Sequence, residues 1–104
     1  MTEKLVIIDE LLLPNSDKRV VVYDGYYLNQ NTNPASYENI VCYDKNNRVL
    51  WKVNGEPKYW SNDRDTYSGI ALTDSHELLG LAFSGNDYRI DTETGEATWV
   101  TFTK

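Results

Sequence analysis

Residues 43–51 and 90–99 are two versions of one pattern. The first reads Tyr43-Asp44-Lys45-Asn46-Asn47-Arg48-Val49-Leu50-Trp51. The second reads Ile90-Asp91-Thr92-Glu93-Thr94-Gly95-Glu96-Ala97-Thr98-Trp99, with one extra residue in its middle. Asp44 and Asp91 lie 47 positions apart, and Trp51 and Trp99 lie 48 apart. Strand-like apolar runs precede each copy. A chain of 104 residues has room for two such units and little else.

The runs between turns read as strands. They fall at 4–13, 20–23, 26–28, 39–44, 48–54, 67–73, 77–83, 87–91 and 97–102, rich in β-branched and aromatic residues. That predicts about nine antiparallel strands and little or no helix. Asp24-Gly25 between Val20-Val21-Val22-Tyr23 and Tyr26-Tyr27-Leu28 predicts a tight hairpin, because a type I′ turn needs positive φ at both central residues. The run at 4–13 reads as a strand on Val6, Ile7 and Ile8, although its leucines also allow a short helix. Pro14 and Asn15 end it either way.

Four strands repeated at this period are the mark of propeller blades. The two copies, YDKNNRVLW and IDTETGEATW, resemble the segment that ends each blade in the quinoprotein-like (pyrroloquinoline-quinone-type) β-propellers. The resemblance spans 18–103, with blade-like repeats at about 18–54 and 67–103. It implies structural roles. Asp44 and Asp91 would accept hydrogen bonds from turn amides, Gly95 would supply a left-handed turn residue, and Trp51 and Trp99 would wedge between sheets. Two blades cannot close a ring, which takes four to eight. The expected architecture is therefore all-β: two four-stranded antiparallel blade-like sheets, as a half-propeller or open sandwich, with an extra N-terminal strand. No quinone is carried over, since it would bind at the centre of a complete ring. No cofactor is expected.

If the strands run up and down, the connections sort to two ends. Asp24-Gly25, 45–47, 74–76 and 92–95 would share one end. The other would hold 14–17, 30–38, 55–66 and 84–86, and hence both long loops. Long loops tend to carry function. These contain Tyr37, Glu38, Glu56, Tyr59, Trp60, Asp63 and Asp65. Tyr and Trp anchor interfaces, and acids steer basic partners. These seven residues are the candidate partner-binding site.

Charge and composition narrow the function by exclusion. The net charge is −6, against the basic patch a nucleic-acid binder needs. Residues 1–54 carry six Lys/Arg against seven Asp/Glu, and residues 55–104 carry four against nine. The acidity is therefore concentrated in the second half. Cys42 is the only cysteine and His76 the only histidine, so neither an internal disulfide nor a zinc site is expected. Ser75-His76 adjacent in a turn is not a triad. Asp63-Arg64-Asp65 lacks the calcium-loop spacing. No catalytic residue and no metal site are expected, nor is an enzyme. The start of the chain reads as neither a signal peptide nor a membrane span, which points to the cytoplasm. The resulting expectation is a small acidic cytosolic protein that binds a basic protein partner. Its most concrete form is an immunity protein neutralising a bacterial toxin, such as a contact-delivered nuclease. The alternatives are a self-associating blade-like scaffold module and a small hydrolase using loop carboxylates.

Overall fold

In a computed structural model the described residues are 6–25, 37–55 and 66–102. They form nine strands: β1 (Ile7–Leu12), β2 (Arg19–Tyr23), β3 (Ile40–Tyr43), β4 (Val49–Lys52), β5 (Asn54–Gly55), β6 (Tyr67–Leu72), β7 (Leu78–Ala82), β8 (Asn86–Ile90) and β9 (Glu96–Phe102). Among the described residues there is no helix. The first sheet runs β1-β2-β3-β4 and the second β5-β9-β8-β7-β6. Both are open, so the expected all-β architecture of two blade-like sheets stands.

Two details differ from the sequence reading. Residues 26–28 lie outside the described residues. Both edges of β2 are already taken, by β1 and β3, so Asp24-Gly25 opens the long connection to β3 instead of turning a hairpin onto β2. The added strand of the second sheet is β5, two residues paired in parallel with Glu96 and Ala97. Within the 4–13 run, Ile7–Leu12 is a strand at the edge of the first sheet, followed by a turn where Asn15 has φ 56°.

The core lies between the sheets. The first sheet contributes Val20, Val22, Ile40, Cys42 and Trp51; the second contributes Ile70, Leu78, Tyr88, Ile90 and Ala97. Alternation along β2 and β3 sends Val21 and Val41 to the opposite face, and both are nevertheless buried. Where β1 and β6 meet, the Asp9 carboxylate accepts from Ile70 N–H at 3.1 Å and from Glu10 N–H at 2.9 Å. A bulge in β1 at this point offsets its pairing with β2.

Register fixes how the repeats pack. Aligning them puts Cys42 on Arg89 and Tyr43 on Ile90. Cys42 and Ile90 are core residues, whereas Arg89 is exposed and Tyr43 only half-buried. The front of one unit therefore packs on the back of the other.

Strand direction also sets the two ends. Turns 14–18, 44–48, 73–77 and 91–95 share one end, and connections 24–39, 53–66 and 83–85 share the other. The sequence reading put 14–17 with the long loops and Asp24-Gly25 with the tight turns. Both are exchanged, because the strand that pairs with β2 on the side away from β1 is β3.

Candidate functional site

At the loop end one buried side chain ties the structure together. Asn39, 1 % exposed, precedes β3. Its amide nitrogen donates to Tyr23 O and Tyr67 O, both at 2.7 Å. Its amide oxygen accepts from Tyr67 N–H at 3.1 Å, and its backbone carbonyl accepts from Tyr23 N–H at 2.8 Å. Tyr23 stands just before the first long connection, Asn39 ends it, and Tyr67 follows the second. Val53 N–H donates to Ile40 O at 2.9 Å, which places the start of the second connection alongside. The described ends of the two long connections thus share one rim.

Of the predicted partner-binding residues, Tyr37 and Glu38 sit on this rim in a turn, both half-buried. Glu56, Tyr59, Trp60, Asp63 and Asp65 lie outside the described residues. The structure adds exposed apolar groups to this part of the molecule. Phe83 (54 %), Trp99 (47 %) and Val100 (45 %) are exposed large apolar residues on the half of the second sheet that runs to the loop end. Phe83 N–H donates to Thr66 O at 2.8 Å, and the Trp99 indole donates to Asn86 Oδ1 at 3.0 Å. Trp99 is therefore an exposed, oriented aromatic and not the buried wedge the repeat implied.

Trp51 does wedge between the sheets. Its indole N–H donates to Thr92 O at 2.9 Å, and its ring covers Gly95, where φ is 78°. A Cβ at Gly95 would lie 2.6 Å from that ring. Lys18 reaches Glu93 in the same turn at 3.4 Å. The Asp44 and Asp91 carboxylates accept from turn amides at 2.8–3.2 Å, as the repeat implied. The amides of Arg48 and Asn46 hold the Asp44 carboxyl below its ordinary pKa.

The tryptophans part company through a bulge. In the first sheet Cys42 opposes Trp51, with Leu50 bulged out between Val49 and Trp51. In the second, Arg89 opposes Thr98, and the bulge comes later, at Val100. Thr98 thus holds the register position that Trp51 holds in the first sheet. A cleft of about 420 Å³ opens at the turn end of the second sheet, its lining including Thr98, Arg89, Glu77, Asp91, Glu96 and His76.

The outer face of the first sheet carries a fixed polar cluster. Arg19 pairs with Glu10 at 2.8 Å, donates to Asn47 Oδ1 at 3.2 Å, and lies 5.2 Å from the Tyr43 ring centroid. Tyr43 and Tyr23 share a hydroxyl hydrogen bond of 2.7 Å. Burial, reinforced by that bond, pushes the Tyr43 phenol up to about 12. Burial also raises the Cys42 thiol.

Among the described residues, no three His, Cys, Asp or Glu side chains group as metal ligands, and no helix is long and apolar enough to cross a membrane. These features define an open all-β protein of two blade-like sheets packed front to back, with the described ends of both long connections on one rim. The chain belongs to the family described as a domain of unknown function, DUF7957, which it matches over residues 3–102. No curated protein and no solved structure matches it.

Proposed function

We propose that this chain is a small acidic cytosolic protein that works by binding another protein. The most specific form of the reading is an immunity protein that covers and neutralises a bacterial toxin, with a contact-delivered nuclease domain as the best-matched target. The observation that carries it is the Asn39 knot, which gathers the bases of both long connections at one rim. Tyr37 and Glu38 stand on that rim, and the segment that carries Glu56, Tyr59, Trp60, Asp63 and Asp65 is joined in the chain to Gly55 and Thr66 on either side. Exposed Trp99 and Phe83 supply the large aromatic groups that dominate binding energy at interfaces. A nuclease site is basic because it holds phosphates. A partner whose second half carries four cations against nine acids is drawn to it electrostatically.

The test is co-expression with the toxin encoded beside this chain, followed by calorimetry on the purified pair. Trp60→Ala and Asp63→Lys should each weaken binding by about tenfold or more, roughly 1.4 kcal/mol, with thermal unfolding unchanged. Full-strength binding by both variants would remove the rim as the binding surface. The lack of any adjacent toxin gene would count against the immunity reading.

A further inference from the structure

We propose that this chain associates head-to-tail, with the 44–48 turn of one copy seated in the Glu77–Arg89–Thr98 cleft of the next. The inference is independent of the rim reading above and uses the opposite end of the molecule. It starts from the joint the chain already makes with itself. There the front of the first sheet receives the 91–95 turn of the second, through Trp51 over Gly95 and Lys18 on Glu93. Because the units pack front to back, each molecule keeps, among its described residues, one open half of that joint on each outer face. The unused receiver is the outer face of the second sheet. The unused turn is 44–48.

Repeat alignment states what the second joint would contain. Register puts Lys18 of the first sheet on Glu77 of the second, Trp51 on Thr98, and Gly95 on Asn47. Two properties change together. Charge is exchanged: Lys18 meets acidic Glu93 inside the chain, while Glu77, which pairs with Arg89 at 3.5 Å in the cleft, would also meet a turn bearing Lys45 and Arg48. The cleft holds three acids, Glu77, Asp91 and Glu96, against Arg89. The segment 44–52 holds Lys45, Arg48 and Lys52 against Asp44. Size is exchanged as well. Trp51 leaves no room for a side chain at Gly95, whereas Thr98 leaves a cleft of about 420 Å³ opposite a turn that carries Asn47 at the same left-handed position, φ 63°. The row beside that turn is Leu12, Arg19, Tyr43 and Val49, and its outer members are exposed at 66 % and 52 %. Val21 and Val41 are already buried on this face, which confines the contact to the turn and that row.

Sedimentation of the full chain, from about 10 μM to 1 mM at low salt, tests this. Wild type should show mass rising with concentration, and 0.5 M salt should reverse it. Lys45→Glu and Glu77→Lys should each weaken association by about tenfold, and the double exchange should restore it. Thr98→Trp, at an exposed position, should fill the cleft and yield monomer while keeping the native strand spectrum. A strict monomer at 1 mM overturns the proposal. So does association that the Lys45/Glu77 exchange does not restore, or that Thr98→Trp leaves intact.

Discussion

At the scale of single residues, Asn39 and Tyr43 carry the sharpest consequences. Asn39 makes three side-chain hydrogen bonds in a site closed to water. Each buried group left unpaired costs about 1–3 kcal/mol. Asn39→Ala should therefore lower unfolding free energy by roughly 3 kcal/mol, read by urea titration. Asn39→Asp keeps the shape but turns an acceptor toward the Tyr23 and Tyr67 carbonyls, so it should cost more than alanine. An aspartate variant as stable as wild type would mean that the knot holds nothing. Tyr43 offers a pH test. Its folded pKa, about 12, lies above the ordinary value of 10. Below pH 10 the phenol is neutral in both states and its contribution is fully present. Between pH 10 and 12 the unfolded chain ionises first, so stability falls as pH rises. Removing the hydroxyl partner with Tyr23→Phe should shift the Tyr43 titration downward, read from phenolate absorbance. An unchanged titration would remove the Tyr23 bond from the explanation.

At the scale of elements, turns 44–48 and 91–95 look alike in sequence and differ in consequence. Both carry a left-handed residue, Asn47 at φ 63° and Gly95 at φ 78°. Only Gly95 lies under a tryptophan. Gly95→Ala combines a backbone penalty of roughly 1–2 kcal/mol with a 2.6 Å approach to the Trp51 ring, so it should destabilise by about 3 kcal/mol. Asn47→Gly should change thermal stability little, because it relieves the conformation while losing the Arg19 bond. Equal losses from the two would show that the joint does not depend on close approach. The same contrast explains what could be read beforehand. Strand runs, turn aspartates and the repeat were legible because they are local: period-2 patterning and turn chemistry act within ten residues. The Asp24-Gly25 hairpin failed because turn chemistry carries no information on which strand edges are already occupied. Trp99 failed because its face depends on whether the bulge falls at Leu50 or at Val100, and no residue near either marks it. Asn39 carries no local signal, because its partners, Tyr23 and Tyr67, are 16 and 28 residues away.

At the scale of the whole molecule, the unit of folding is the pair of sheets. The core is one cluster drawn from both, with Val20, Ile40, Cys42 and Trp51 facing Leu78, Tyr88, Ile90 and Ala97. Separating the sheets exposes these eight side chains. At about 1.5–3 kcal/mol for each large apolar group, the loss reaches the 5–15 kcal/mol that holds a typical domain together. Neither repeat should fold alone. Fragments 1–55 and 56–104 should each give an unfolded circular-dichroism spectrum, and equimolar mixing should restore strand signal together with Trp51 burial. The intact chain should unfold in urea in one transition, with tryptophan emission and circular dichroism coincident. Both fragments carry net negative charge, so recombination should strengthen as salt screens their repulsion. A fragment 56–104 that folds by itself would make the single blade the stable unit. It would also remove the reason for treating the Trp51–Gly95 joint as part of the core.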